Sequence, residues 1–209
     1  MKKIILNFIL VISFGAAISQ KQVVITDCTV SYSIKGSNAE TNSNLTGMAK
    51  QFYLKGKLTR IDITSQGYKQ SVIYDNNTGS AVILKEIGSE KYKSVLTEDE
   101  WKKENKRFQG LTLTLTNETK TILGYECKKA ITNLKDGSSY NIYYATAIIP
   151  SATENPYQFK DVPGFVLEYE TSGKSNNDKI TYSAIQINLN PVPALKFQVP
   201  TTGYRIWNP

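Results

Sequence analysis

The chain has 209 residues, 40% apolar and 21% charged, with 25 Lys and Arg against 18 Asp and Glu. Those fractions exclude a wholly disordered chain, and the length fits one domain that can bury a core without staples. Histidine is absent, which excludes a Ser-His-Asp triad, a Cys-His dyad and any His-bearing metal site.

The N-terminus reads as an export signal. Lys2 and Lys3 form a basic start, residues 4–12 are apolar except Asn7, and Ala17-Ile18-Ser19 has the small-x-small pattern of a cleavage site, with the cut between Ser19 and Gln20. Residues 1–19 are thus expected to be a signal peptide and residues 20–209 one exported domain, periplasmic or secreted. The apolar run is too short for an anchor, and no later stretch reaches the ~20 apolar residues of a span, so no transmembrane segment is expected after cleavage. Loss of Lys2 and Lys3 takes the net charge from +7 to +5. The other basic residues are scattered, which argues against a nucleic-acid partner.

The domain then reads as strands. Val24 to Ile34 alternates apolar and polar residues, a period of two. Residues 36–44 are rich in Ser and Asn and read as a loop. Met48, Phe52 and Leu54 share one side of the next strand, with Lys50 among them. Lys55-Gly56-Lys57 turns into a strand from Leu58 to Thr64, and further strands cover 70–75, 81–87 and 91–96. One helix interrupts them. Thr97 with Glu100 forms a capping box, acidic residues open the run and basic residues close it, Trp101 and Phe108 share a face, and Gly110 ends it. The expected helix is Glu98 to Gln109, either a connector across one end of the sheet or a lid over a cavity. Leu111, Leu113 and Leu115 alternate with threonines in the next strand. Strands over 121–134, 140–146, 165–171, 179–189, 197–200 and 204–207 complete the chain, with a proline-broken loop over 147–164. About ten strands and one helix in one domain point to a mainly β fold, a curved antiparallel sheet or incomplete barrel with the helix packed against it.

Two stretches carry a resemblance. Residues 121–130, with Gly124, Tyr125 and Cys127-Lys128-Lys129-Ala130, are similar to a signature of exported Bacteroidota proteins. Ile149-Pro150 and the run from Phe159 through Pro163-Gly164 to Glu168 resemble the segment that names the GLPGLI family, with Asp161 in place of its first glycine. Leu54-x-Gly-Lys-x-x-Arg60 and Phe197-x-x-Pro-x-x-Gly-Tyr204 look like a related family grouped with the lipoprotein carrier LolA. The resemblance implies a LolA-like sheet partly wrapping a helix in an exported protein, and it transfers no catalytic residue. On physical grounds Gly124 suits a bulge or close backbone approach, and Pro163-Gly164 a tight turn before a strand.

Candidate chemistry is sparse. Cys28 and Cys127 permit one disulfide in an oxidising compartment, and equally fit as buried thiols. Paired carboxylates remain for hydrolysis, with Asp27, Asp62, Glu118 and Asp161 as scattered candidates. Glu168 and Glu170 share a strand face at roughly 7 Å, which suits a glycosidase pair and equally a solvated face. Asp75-Asn76-Asn77 and Asn176-Asn177-Asp178 are oxygen-rich but read as turns rather than calcium sites. No cofactor or metal is expected. Tyr140, Tyr143, Tyr144, Tyr157 and Phe159 could stack sugars if exposed.

The sequence thus favours a non-enzymatic exported protein that holds an apolar ligand, a lipid or lipoprotein acyl chain, between the sheet and the helix. The expected lining is Met48, Phe52, Leu54, Trp101, Phe108, Leu113 and Leu115. The alternatives are an envelope interaction or scaffold protein with a filled core, and a carboxylate hydrolase using Glu168 and Glu170. Volume separates the first two, since a carrier needs a cavity and a scaffold does not.

Overall fold

The computed structural model describes residues 22–173 and 178–208; the expected signal peptide, its Ser19–Gln20 cleavage site, Asn176 and Asn177 lie outside these residues. The fold is mainly β, with fourteen strands rather than ten among the described residues. The strands are β1 (Val23–Ile25), β2 (Asp27–Gly36), β3 (Ala49–Lys55), β4 (Leu58–Ser65), β5 (Tyr68–Asp75), β6 (Ala81–Ile87), β7 (Glu90–Leu96), β8 (Thr112–Ile122), β9 (Tyr125–Asn133), β10 (Ser139–Ala145), β11 (Ile148–Pro150), β12 (Phe165–Ser172), β13 (Lys179–Asn188) and β14 (Arg205–Ile206). Twelve form one sheet in the order β14-β7-β6-β5-β4-β3-β2-β13-β12-β10-β9-β8. Its end strands β14 and β8 do not meet, so it stays open rather than closing into a barrel. All its pairs are antiparallel except β14 with β7, so the sheet is mixed. No helix among the described residues is long and apolar enough to cross a membrane.

The extra strands arise where period-two reading runs across a break. The expected first strand splits at Thr26, and β1 leaves the large sheet to pair in parallel with β11. That partner lies in the segment expected to be loop because of Pro150. The proline sits at the strand's end, and the ladder continues through Ser151 N–H to Ile25 C=O at 2.8 Å. The expected strand over 121–134 is two strands, because β8 runs through to Ile122 before a two-residue turn at Leu123-Gly124. Both turn residues have positive φ, 51° and 81°, as a hairpin turn that matches strand twist requires. Gly124 is therefore a turn residue and neither a bulge nor a close approach; nothing lies within 4 Å of a Cβ placed there. The close approach is at Gly164, where a Cβ would stand 2.2 Å from Ala145 O. The Pro163-Gly164 turn closes through Gly164 N–H to Val162 C=O at 3.0 Å. The expected strand at 197–200 does not form: a 3₁₀ turn, Ala194–Phe197, ends there and residues 198–200 belong to no regular element.

Among the described residues, two α-helices accompany the sheet. α1 (Ala39–Leu45) replaces the expected loop. Asn38 caps it by accepting from Thr41 N–H at 2.8 Å, and only Thr41 of its seven residues is buried. α2 (Glu98–Glu104) starts where the capping box places it, with both reciprocal bonds made. It stops at Asn105 instead of running to Gln109, and a 3₁₀ turn covers Lys106–Phe108. Asn105 Nδ2 bonds back to Trp101 O at 2.9 Å, and its Oδ1 accepts from Asn155 Nδ2 at 3.1 Å. The side chain thus trades helix propagation for a tie to the 151–164 loop.

The sheet buries apolar side chains on both faces. One face carries Val30, Phe52 and Leu54, packed with Ile142, Phe165 and Leu167 in the main core. The other carries Tyr53, Ile73 and Leu84, covered by Val192 and Phe197 of the C-terminal segment. Fully burying a side chain such as Phe52 stabilises by roughly 1.5–3 kcal/mol, so the main core is the dominant favourable contribution.

Candidate functional site

The site begins with a lysine on the apolar side of a strand. Period-two alternation puts Lys50 on the same face as Phe52 and Leu54, and β3 lies deep in the sheet. Lys50 is 2% exposed. Cross-strand register sets Tyr32 of β2 directly beside it, and Tyr169 of β12 beside Tyr182 of β13. The Lys50 ammonium consequently lies 4.6 Å, 4.5 Å and 4.7 Å from the ring centres of Tyr32, Tyr169 and Tyr182. Tyr169 and Tyr182 stack at 5.0 Å.

A buried charge needs a partner. Glu154, from the 151–164 loop, supplies it: Lys50 Nζ donates to Glu154 Oε1 and to the Tyr169 hydroxyl. Tyr169 in turn donates to Glu154 Oε1 at 2.8 Å. Burial pulls Lys50 below the ordinary lysine value, and Glu154 opposes that shift. Burial, reinforced by the Glu154 charge, pushes Tyr32 and Tyr169 well above 10 and Tyr182 up to about 12.

Above this cluster lies a cleft of about 200 Å³. Its floor is sheet, from Ile61 and Ile63 of β4 to Gln70 and Val72 of β5 and across to Tyr169 and Tyr182. Its roof is Trp101 of α2 with Glu154 and Asn155 of the loop. Trp101 rests on Tyr74 at 6.2 Å between ring centres. Two polar atoms of the roof are buried and make no hydrogen bond: Trp101 Nε1 and Glu154 Oε2. Each such atom costs roughly 1–3 kcal/mol, and both are closed off from water behind the lining of the cleft.

The expected lining residues do not come together. Phe52 and Leu54 are fully buried in the main core and Leu113 is packed at its border. The void beside Phe52, under Phe165 and Tyr32, is about 10 Å³, room for about one water. Met48 is half-buried before β3, Phe108 is half-buried beside Arg107, and Leu115 is 55% exposed. Only Trp101 reaches the cleft. Lys50 was visible in the sequence as a charge on an apolar face; its partner Glu154, 104 residues away, carried no local signal.

The other candidates are engaged elsewhere. Glu168 bonds Lys120 and Ser183, and Glu170 bonds Lys179 and Asn141 N–H. They alternate with the core residues Leu167 and Tyr169, so they face away from the cleft. Asp62 pairs with Arg60, Asp27 with Lys55 and Glu118 with Lys129. Asp75 accepts from Asn77 N–H as a turn residue. Among the described residues no group of three or more Cys, Asp or Glu is placed to hold a metal. Tyr140, Tyr144 and Phe159 are buried rather than offered to a sugar. Cys28 and Cys127 are free, buried thiols, pushed by burial up to about 12 and about 11.

An open, mixed twelve-stranded sheet with a cleft under α2 defines the class of fold. The chain belongs to the family described as the N-glycanase peptide, N-terminal domain, whose pattern matches residues 60–197. Solved structures of PNGF-II share the fold. In the C2 crystal form the TM-score is 0.53 at 12% identity, covering 86% of this chain and 30% of that one. In the P21 form it is 0.52 at 11% identity, covering 87% and 32%. The chain thus spans about a third of the length of the PNGF-II structures it matches. MucB aligns at 9% identity and a TM-score of 0.44, over 84% of this chain and 58% of that one. No curated protein matches the sequence.

Proposed function

We propose that this chain is a non-catalytic binding domain, exported from the cell, that holds a small ligand in the cleft between the sheet and α2. One observation carries the reading: β4, β5, β12 and β13 with α2 and the 151–164 loop enclose a cleft of about 200 Å³ lined by apolar side chains beside the buried Lys50–Glu154 pair, a concave site with a few convergent polar groups. Membership of a family named for the N-terminal domain of an N-glycanase supports an accessory role beside glycan chemistry. The signal-like residues 1–19 and the GLPGLI-type resemblance support an envelope or extracellular setting. The lipid version of this reading asks for more apolar volume than the 10 Å³ void in the main core, so the ligand we favour is small and polar. A second reading, an envelope interaction protein, is favoured by that same filled core, where Phe52 and Phe165 meet edge to face at 6.4 Å.

The test is native mass spectrometry on the chain purified from an envelope extract without detergent. A retained small polar mass, lost on mild denaturation, is expected. A clean apo mass from extracts of several growth conditions would contradict the binding reading and favour the interaction protein.

A further inference from the structure

We infer that a second site, outside the cleft and independent of it, takes a carboxylate monoanion where Arg107, Ser172 and Tyr140 converge at one end of the sheet.

The early end of α2 builds this site. Asn105 stops the helix, and the 3₁₀ turn Lys106–Phe108 that follows carries Arg107 to the ends of β10 and β12. There Arg107 Nη1 donates to Ser172 Oγ at 3.0 Å, and Nη2 donates to the Tyr140 hydroxyl at 3.4 Å. Tyr140 is buried near the start of β10 and pairs with Thr132; Ser172 closes β12 and pairs with Lys179. The sheet ladder thus fixes both residues. The β9–β10 turn supplies the other wall, Asp136 and Ser138, around a hollow of about 480 Å³.

The charge on Arg107 is unspent. The chain has three arginines. Arg60 meets Asp62 at 2.6 Å and Arg205 meets Glu90 at 2.8 Å. Among the described residues Arg107 has no ion partner, only the two neutral hydroxyls. A guanidinium holds five N–H donors in a planar fork, and each hydroxyl that accepts from it keeps one hydrogen to donate. Among the described residues neither hydroxyl uses that hydrogen. The two bonds to Arg107 keep all three groups within reach of one oxyanion. Arg107 is exposed, so a ligand meets it with no element having to move.

The surrounding charges choose the kind of anion. Lys179 Nζ lies 5.7 Å from the Tyr140 ring but already serves Glu170 at 3.0 Å, so it brings no spare charge. Asp136 lines the same hollow. Its Oδ1 accepts from Ser138 N–H at 2.9 Å and from Ser138 Oγ at 2.5 Å, which fixes a negative charge on the facing wall. A dianion such as sulfate would set its second charge against Asp136. A carboxylate brings one charge and two coplanar oxygens, the geometry that a guanidinium fork matches.

The test is a titration of the ¹⁵N-labelled full chain at pH 7 and constant ionic strength in sodium chloride. The Arg107 Nε–H resonance is followed, assigned by its loss in Arg107→Gln. Acetate should give a saturable shift, and sulfate should bind about fivefold more weakly, the scale of one exposed charge contact. Asp136→Asn should remove most of that difference. Ser172→Ala should weaken acetate about fivefold, the scale of one hydrogen bond, with the melting temperature unchanged; a merely structural tie would move the melting temperature and leave acetate unaffected. N-acetylglycylglycine, titrated alongside, separates two sources of the carboxylate: tighter binding than acetate marks a peptide C-terminus, equal or weaker binding a free small acid. An acetate shift that does not saturate, or sulfate bound as tightly as acetate by the unaltered chain, would overturn the inference and leave the reading of the cleft untouched.

Discussion

Lys50→Met removes one member of a pair that the fold has taken out of water. Lys50 is 2% exposed and Glu154 9%. Without the ammonium, Glu154 Oε1 keeps only the Tyr169 hydroxyl, and its charge has no counterion. Breaking a buried pair from one side costs about 3–5 kcal/mol. The three tyrosine rings lose their cation as part of the same loss. At roughly 2–4 °C per kcal/mol for a domain of this size, the melting temperature should fall by about 6–20 °C. Lys50→Met with Glu154→Gln removes both charges. It should recover most of the loss, because replacing a buried pair as a whole is often neutral or better. Urea unfolding followed by circular dichroism, beside calorimetry at pH 7, gives both values. A single-variant loss under about 1 kcal/mol, or a double variant no more stable than the single, would refute the placement of a buried ion pair at the site.

Three further outcomes follow from the same geometry. Tyr32, Tyr169 and Tyr182 titrate above their ordinary value of 10, so their contribution is full below pH 10 and is lost as pH rises, where the unfolded tyrosines ionise first. Absorbance at the tyrosinate band should show a group of tyrosines released only with unfolding; a single titration of all 13 near pH 10 would contradict it. Gly164→Ala places a Cβ 2.2 Å from a backbone oxygen and should cost about 3 kcal/mol. Gly124→Ala meets open space at φ 81° and should cost only about 1–2 kcal/mol; equal melting temperatures would be the wrong result. Cys28 and Cys127, buried and raised to about 12 and about 11, should resist a thiol reagent at pH 8 until denaturant is added. An intact mass that rises by two hydrogens on reduction would show a bridge instead.

What could be read in advance was local. The capping box at Thr97 and Glu100 fixed the start of α2 because both partners are three residues apart. Alternation assigned Phe52 and Leu54 to one face because the strand pleat enforces it. The end of α2 was not legible, because Asn105 is held by Asn155 from a distant loop. α1 was missed because only Thr41 is buried, so no apolar period marks it. β11 was missed because Pro150 argues against a strand, and only an end position next to β1 tolerates it. The site shows the same division. The alternation placed Lys50 among apolar residues and no more, while Glu154, Tyr169 and Tyr182 reach it through pairings that sequence spacing does not encode. The apolar stripe expected to line a cavity became packed core, since alternation tells which residues share a side but not whether that side is filled.

The most direct measurement is hydrogen–deuterium exchange on the full chain, with and without the small-molecule fraction of an envelope extract. Protection confined to peptides covering 97–109 and 151–164, and absent in Trp101→Phe, is the result expected of a ligand seated under α2. Protection elsewhere, or none with any extract, would contradict the cleft as the working site of this domain.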